Sequence, residues 1–278
     1  MIYFKLNDGN KVPALGLGTY KITDRKDMEE AVQAAFENGY TYFDTAAFYE
    51  NEDLLGLSLK NSPKKREDYQ IATKVWPTMF GESLTKKSID NSLKALQTDY
   101  IDIIHLHWYG KYFDQAWKVF EDYKRQGIVK SIAVCNFNQE QLNELSKIGQ
   151  KPVMDQLESN PYLQNNDLVS YLNDNKIIHQ AWSPLARGKD GIFNDPILVK
   201  ISKKYNKSPA QLALRWNIQR QTMVIPKSLH KNRIKENISI FDFTLTNEEM
   251  EQIKSLDKNL SHSHRPDDEA WLKEIGRS

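Results

Sequence analysis

The feature that most constrains the fold is an alternation of strand-like and helix-like patterns, repeated eight times along the 278-residue chain. Short runs rich in β-branched and aromatic residues alternate with stretches in which apolar residues recur at helical spacing. The predicted strands lie near residues 15–18, 40–45, 69–75, 100–107, 131–136, 152–158, 176–182 and 222–226. Their nearly unbroken apolar runs are typical of a parallel sheet covered by helices.

Eight βα repeats without a linker predict an α/β fold, namely a (β/α)8 TIM barrel in which residues 1–278 form one domain. Asp8 and Gly9 predict the turn of an N-terminal β-hairpin ahead of the barrel. A doubly wound dinucleotide-binding sheet fits less well. Its phosphate-binding turn needs a third glycine, which does not follow Gly16 and Gly18.

Local signals mark where several helices begin. Ser208, Asn138 and Thr246 each stand three residues before a glutamine or glutamate. This spacing predicts reciprocal hydrogen bonds between the capping side chain and the first turn. Pro209, directly after Ser208, suits the first helical position.

Composition restricts the class of protein. The 38 basic and 37 acidic residues leave a formal charge of +1, and no basic stripe indicates nucleic-acid binding. The N-terminal residues lack the basic region and apolar run of a signal peptide, and no apolar stretch is long enough to cross a bilayer. The single cysteine, Cys135, suits a reducing compartment. We therefore expect a cytoplasmic protein with no nucleic-acid or membrane partner.

Four polar side chains stand at or just beyond the downstream ends of predicted strands: Asp44, Tyr49, Lys74 and His107. The strand ends of a barrel meet at one rim, where such folds carry their chemistry. A phenol beside a buried ammonium that is held by a carboxylate, with an imidazole opposite, can give a proton to a developing alkoxide. These four residues are the predicted catalytic set.

At these positions the chain resembles the aldo-keto reductase family, and among its bacterial members the diketogluconate and methylglyoxal reductase group. The matching segments are residues 16–20, 43–49, 72–76, 106–108, 134–137, 155–158, 182–185 and 225–228, followed by Arg233, Glu236 and Asn237. Each segment alone is a weak signal, whereas their joint order and spacing are specific.

The resemblance implies an NADP-dependent oxidoreductase, without metal and mostly monomeric, that uses NADPH to reduce small aldehydes and ketones to alcohols. Dicarbonyls and keto-sugars are among the expected substrates. Tyr49 would be the general acid, made more acidic by the charge of Lys74, which Asp44 would hold in place. His107 would orient the substrate carbonyl and hydrogen-bond its oxygen.

The resemblance also assigns cofactor and substrate contacts. Asn136 and Gln156 would bind the nicotinamide carboxamide, and Trp182 would stack on the ring. Lys227, Ser228 and Arg233 would clamp the 2′-phosphate, which favours NADP over NAD. The complete cofactor set is Gly18, Thr19, Tyr20, Asp44, Cys135, Asn136, Gln156, Trp182, Ser183, Leu185, Lys227, Ser228, Arg233, Glu236 and Asn237, with the last two near the adenine. The substrate set is Tyr20, Phe48, Trp76, His107 and Trp108.

Two alternative functions remain open. His105 and His107 lie two apart on one strand and therefore share a face, which is one way to build a zinc site. A metal-dependent barrel hydrolase would use them as ligands, although a third ligand is missing from the sequence pattern. The second alternative is a cofactor-binding sensor with little turnover. The intact set of four catalytic residues argues against it.

Two departures from the family pattern concern the nicotinamide pocket. Cys135 replaces the usual serine, and a thiol is a weaker hydrogen-bond donor than a hydroxyl. It can equally be a small hydrophobic residue of the core. Asp155 stands where asparagine is common. The polar segment at residues 261–268 is expected to be exposed, and Trp271 either covers the substrate mouth or packs on the exterior.

Overall fold

The computed structural model describes residues 1–276 and confirms the predicted barrel. The strands are β1 (Tyr3–Lys5), β2 (Lys11–Pro13), β3 (Leu17–Gly18), β4 (Tyr42–Asp44), β5 (Gln70–Val75), β6 (Ile101–Leu106), β7 (Val129–Cys135), β8 (Met154–Glu158), β9 (Ile178–Trp182) and β10 (Thr222–Val224). β1 and β2 form the antiparallel hairpin, whereas β3 to β10 pair in parallel and in chain order.

The sheet closes where β10 meets the segment around β3. Parallel bridges join Leu15 to Val224 and Gly18 to Lys227. A Cβ atom at Gly18 would lie 2.8 Å from the carbonyl oxygen of Ile225, closer than real Cβ atoms approach a backbone atom. Glycine therefore permits the close approach of the two chain segments at this seam.

The helices cover the outside of the barrel. They are α1 (Arg25–Glu37), α2 (Glu52–Lys60), α3 (Glu82–Leu96), α4 (Phe113–Arg125), α5 (Gln139–Ile148), α6 (Asn166–Asp174), α7 (Pro196–Lys204), α8 (Pro209–Gln219), α9 (Lys231–Ile238), α10 (Asn247–Lys254) and α11 (Glu269–Ile275). One helix fills each connection from β3 to β9, and α7 and α8 share the next. Asn138, Ser208 and Thr246 cap α5, α8 and α10 as predicted.

The hairpin packs on the end of the barrel opposite the predicted site. The carboxylate of Asp8 accepts hydrogen bonds from Ser131 Oγ at 2.8 Å and Lys124 Nζ at 2.9 Å. Asn7 Nδ2 donates to the carbonyl oxygen of Pro152 at 2.8 Å. Ser131 lies in the first half of β7 and Pro152 precedes β8, so these contacts fix the hairpin near the upstream strand ends. The hairpin therefore does not cover the rim at the downstream strand ends, where the predicted site lies.

Among residues 1–276, none of the helices has both the length and the apolar character needed to span a bilayer.

Candidate active site

Three of the four predicted catalytic side chains form one cluster, in which Asp44 and Lys74 are buried and Tyr49 is half-buried. Lys74 Nζ on β5 donates to Asp44 Oδ1 at 2.6 Å and to the carbonyl oxygen of Thr45 at 2.8 Å. Its third contact is the hydroxyl of Tyr49, at 3.4 Å. The Lys74 side chain has no exposed surface and that of Asp44 is 2% exposed. An ammonium buried in this way needs its paired carboxylate.

The electrostatics of the cluster favour a charged Lys74 and a protonated Tyr49. Burial opposes the charge on Lys74, but Asp44 outweighs it and the pKa of Lys74 lies above its ordinary value. Burial is also the largest influence on Tyr49, and it raises the pKa of that phenol although Lys74 lowers it. Lys74 therefore acts in the expected direction, whereas the net shift of Tyr49 runs opposite to the acidification expected from the sequence.

His107 follows β6 and faces Tyr49 across the rim. Its ring lies 5.8 Å from that of Tyr49 and 4.9 Å from that of Trp76, both edge to face. Burial, together with the nearby charge of Lys74, holds the pKa of His107 well below its ordinary value. The imidazole is therefore neutral, so it can donate one N–H without carrying a charge.

His105 lies beneath this cluster. It pairs across the sheet with Lys74 and is fully buried, with Nδ1 3.3 Å from the carbonyl oxygen of Thr73. Burial lowers its pKa to about 3. Within residues 1–276, no group of three or more His, Cys, Asp or Glu side chains is arranged to hold a metal ion. The hydrolase alternative therefore lacks the third ligand that it needs.

The residues predicted to hold the nicotinamide lie together on the rim. Asn136 adopts a left-handed conformation (φ 58°) directly after β7, and its Oδ1 accepts the Trp182 Nε1–H at 3.0 Å. Asn136 Nδ2 donates to the carbonyl oxygen of His107 at 3.3 Å. Gln156 Nε2 donates to Asp44 Oδ2 at 2.8 Å. The predicted carboxamide site thus borders two of the predicted catalytic residues, His107 and Asp44.

The sequence left open whether Cys135 forms hydrogen bonds or packs as a small hydrophobic residue. In the structure it does both. Its Sγ lies 3.7 Å from Gln156 Oε1, where the thiol donates, and accepts from Asn136 Nδ2 at 3.1 Å. The side chain also fills a position in the barrel interior, where it is 1% exposed.

The residues predicted to bind the adenosine phosphate lie beyond β10, on the same rim. Gly18 meets Lys227 at the seam of the barrel, and Ser228 follows on the loop that leads to α9. Arg233 lies on α9 and is exposed. Burial lowers the pKa of Lys227, Asp27 opposes this shift, and the charge of Lys21 adds a smaller lowering effect.

The other predicted cofactor residues take different positions. Thr19 and Tyr20 follow β3, Ser183 and Leu185 lie on the loop after β9, and Asn237 is buried on α9. The carboxylate of Glu236 accepts a hydrogen bond from Ser208 Oγ. It therefore links the start of α8 to α9, a structural contact that the sequence did not reveal.

The predicted substrate walls are aromatic and partly exposed. Phe48 stacks on Trp76 with ring centroids 4.0 Å apart, and Tyr20 contacts the ring of Tyr49 at 4.8 Å. Trp108 is largely buried, with the ring of Trp271 6.1 Å away and edge to face. Trp271 therefore lies next to the rim, not on a distant part of the exterior.

The C-terminal segment is tied to the rim more closely than its polar composition indicated. Glu158, at the end of β8, accepts hydrogen bonds from Ser261 Oγ at 2.7 Å and the His262 backbone N–H at 3.1 Å. His262 Nε2 lies 2.5 Å from Asp190 Oδ2 on the loop after β9. Most of residues 261–268 are half-buried, so the segment lies at the surface but is less exposed than its polar composition indicated.

Two neighbours of the site were missed by sequence reasoning. The guanidinium of Arg187 lies 5.7 Å from the ring centroid of Trp182, and its Nε donates to Ser183 Oγ at 3.4 Å. Gln180, fully buried on β9, accepts a hydrogen bond from Gln156. Alternation along β9 gives the signal for Gln180, because residues two apart share a face and Trp182 points to the rim.

The chain is similar to known proteins over most of its length. The sequence profile of the Aldo/keto reductase family matches residues 14–190 and 193–258. A glyoxal reductase of Bacillus subtilis (strain 168) is 38% identical over 266 residues, which are 95% of this chain and 96% of that protein. The methylglyoxal reductase DkgA of Escherichia coli O157:H7 is 39% identical over 267 residues, with 95% and 96% covered.

The fold is likewise shared with solved structures. The crystal structure of MGS-M4, an aldo-keto reductase from a Medee basin deep-sea metagenome library, superposes with a TM-score of 0.92 at 36% identity. The superposition covers 96% of this chain and 99% of that one. An aldo/keto reductase from Brucella melitensis gives a TM-score of 0.88 at 40% identity, covering 92% and 99% of the two chains. The chain therefore belongs to the aldo-keto reductase family of oxidoreductases.

Proposed function

We propose that this protein is an NADPH-dependent carbonyl reductase in which Tyr49 is the general acid. The observation that carries the proposal is the position of Lys74. Its buried ammonium is paired with Asp44 at 2.6 Å and lies 3.4 Å from the Tyr49 hydroxyl. A cation fixed beside a phenol stabilises the phenolate that remains after proton donation.

The chain's own residues would act as follows. His107, held neutral, donates a hydrogen bond to the substrate oxygen and orients the carbonyl. When bound, the reduced nicotinamide supplies a hydride to the carbonyl carbon. Tyr49 gives its proton to the oxygen, so that an alcohol forms, and Lys74 stabilises the resulting phenolate until the proton is replaced from solvent. Asp44 is a positioning residue, because it acts through Lys74.

The residues present fit a phosphorylated dinucleotide. Lys227 is exposed at the rim, and the nearby Lys21 adds a second positive charge that an anion would neutralise. Arg233 makes no ion pair with any side chain of residues 1–276, so its guanidinium is available to a phosphate. These cations support a preference for NADPH.

The substrate class is proposed from the aromatic walls and from the relatives. Phe48 and Tyr20 are about half-exposed on the rim, at 50% and 43%. A partly exposed aromatic wall suits small carbonyl compounds. Two similar proteins are named glyoxal and methylglyoxal reductases, so small dicarbonyls are the first substrates to test.

The proposal is tested by following NADPH and NADH oxidation with a carbonyl panel that includes methylglyoxal, glyoxal, a keto-sugar and an aromatic aldehyde. Each reaction is run with and without a chelator. We expect turnover of at least one dicarbonyl, faster with NADPH than with NADH at equal concentration, and no effect of the chelator.

The two alternatives predict different results. Saturable NADPH binding without turnover of any carbonyl would favour the sensor. Absence of NADPH and NADH oxidation with every carbonyl, with stoichiometric bound metal in the purified protein, would favour the hydrolase. Either result would contradict the proposed reductase.

A further inference from the structure

Four side chains form one layer inside the barrel, beneath the predicted nicotinamide site. Gln156 pairs across the sheet with Cys135 on β7 and with Gln180 on β9, and Gln180 pairs with Met223 on β10. Cys135 and Gln156 are 1% exposed, and the other two have no exposed surface. At such depth every polar atom needs a protein partner, so the hydrogen bonds can be assigned one by one.

Gln156 uses both of its amide hydrogens inside the protein. Its Nε2 donates to Asp44 Oδ2 at 2.8 Å and to Gln180 Oε1 at 2.6 Å. Within residues 1–276, its Oε1 receives only the weak thiol donor of Cys135, at 3.7 Å. Gln156 can therefore offer a ligand a carbonyl oxygen but not an N–H.

The orientation of Gln180 follows from its other neighbours. Its Nε2 lies 3.2 Å from the hydroxyl of Tyr42 and 3.1 Å from Met223 Sδ. Methionine sulfur can only accept, so the amide nitrogen of Gln180 faces Met223 and the amide oxygen faces Gln156. Tyr42 is itself fully buried, which keeps this arrangement away from solvent.

We propose that Gln180 is a positioning residue that makes Gln156 an acceptor-only group toward the cofactor. The inference rests on the proposed function, because it assumes that Gln156 meets the nicotinamide carboxamide. Without the oxygen of Gln180, one N–H of Gln156 loses its partner. The amide can then turn about its terminal bond, keep one N–H on Asp44 and direct the other toward the ligand.

As a consequence, the site should bind a cofactor with a nicotinamide carboxamide in preference to one with a nicotinic acid carboxylate. Asn136 is committed in the same way, because its Nδ2 donates to His107 and Cys135 while its Oδ1 accepts from Trp182. Two acceptor oxygens suit the NH2 of a carboxamide. They repel a carboxylate, which has no hydrogen to donate. The site is thus built to reject the deamidated cofactor, which carries nicotinic acid in place of nicotinamide.

The test compares dissociation constants for NADP+ and for nicotinic acid adenine dinucleotide phosphate, measured by tryptophan fluorescence. The parent should bind the amide at least about tenfold more tightly, the scale of one or two hydrogen bonds. Gln180→Met removes the acceptor and should narrow this ratio at least about fivefold. Gln180→Glu retains an acceptor for Gln156 and should keep the parent ratio.

Two further variants control for a general disturbance of the buried network and for failure of Gln180→Met to fold. Tyr42→Phe disturbs the same buried network without removing the oxygen that faces Gln156, so it should keep the parent ratio. Gln180→Leu carries the same prediction as Gln180→Met and replaces it if that variant does not fold. A purely structural role would weaken binding of both nucleotides equally and leave the ratio unchanged.

Three results would overturn the inference. The first is a ratio of dissociation constants that stays at the parent value in Gln180→Met and Gln180→Leu. The second is a ratio that narrows in Tyr42→Phe as much as in those variants. The third is a parent protein that binds the amide and the acid nucleotides with equal affinity. A parent that binds neither nucleotide would instead contradict the proposed function itself, and the inference would fall with it.

Discussion

At the scale of single residues, the carboxylate of Asp44 is the most heavily used group in the site. One oxygen accepts from Lys74 and the other from Gln156, so each carboxylate oxygen has a donor. This division links the charge that supports Tyr49 to the amide predicted to hold the cofactor. A change at either partner is therefore expected to affect both binding and proton transfer.

Asp155 is used very differently and gives a prediction about stability. Its Oδ1 accepts a long hydrogen bond from the Phe137 backbone N–H at 3.5 Å, and its buried Oδ2 has no partner within residues 1–276. Burial raises the pKa of this carboxyl well above its ordinary value. The folded state therefore favours the protonated form, and its stability falls as the pH rises above the ordinary carboxyl range.

Asp155→Asn should remove this dependence on pH. We expect the free energy of unfolding of the variant, relative to the parent, to increase by about 1 kcal/mol or more between pH 5 and pH 8, since one pKa unit corresponds to about 1.4 kcal/mol. Urea denaturation at both pH values measures it, with the exposed Asp99→Asn as control. If the relative free energy of unfolding rises equally in Asp155→Asn and Asp99→Asn between the two pH values, or rises in neither, Asp155 is not a buried acid with a raised pKa.

The sequence was enough to predict that the proposed catalytic residues share one rim, but it did not predict their hydrogen-bond partners. Asp44, Tyr49, Lys74 and His107 stand near strand ends, and strand ends of a barrel meet by topology alone. The bond between Gln156 and Gln180 depends on the register of neighbouring strands and on two side-chain rotamers. The sign of the Tyr49 pKa shift depends on burial depth, which no sequence pattern gives.

At the scale of elements, strands and capped helices were predicted well because each has a local signal. β6 was expected at 100–107 and spans Ile101–Leu106, and α5, α8 and α10 begin at their predicted caps. The C-terminal segment has no such signal. Its place depends on contacts of His262 and Ser261 with residues more than 70 positions away, such as Asp190 and Glu158.

Helix α9 carries a prediction about cofactor choice. Arg233→Ala should raise the dissociation constant of NADPH about tenfold or more, because a hydrogen bond to a charged group contributes about 1.5–3 kcal/mol. NADH lacks the 2′-phosphate, so its dissociation constant should stay nearly unchanged. Both constants are measured by fluorescence titration at one fixed salt concentration.

Lys235→Ala is the matched control on the same helix, because Lys235 is exposed, cationic and not predicted to touch the cofactor. This substitution also removes one positive charge from the surface, so it should weaken binding of NADPH and NADH only slightly and by similar factors. Equal effects of Arg233→Ala on NADPH and NADH, or equal effects of the two variants on NADPH, would show that the phosphate clamp has been assigned wrongly.

At the scale of the whole molecule, the barrel brings distant segments to one rim. Gln156 and Asp44 are 112 residues apart in sequence yet share a hydrogen bond across the interior. The hairpin occupies the opposite end, where Asp8 binds Ser131 and Lys124. The eightfold alternation was enough to predict the shared rim, but not the place of the hairpin at the other end. It could not predict that α7 and α8 share one connection.

The central claim is that Tyr49 donates the proton during reduction by NADPH. The most direct measurement is the single-turnover rate of NADPH oxidation by a small dicarbonyl, for the parent and Tyr49→Phe, together with the NADPH dissociation constant of each. We predict a rate lower by at least about 100-fold in the variant, the usual scale of general acid catalysis, with cofactor affinity unchanged. A variant that binds NADPH normally and oxidises it within a few-fold of the parent rate would contradict the account.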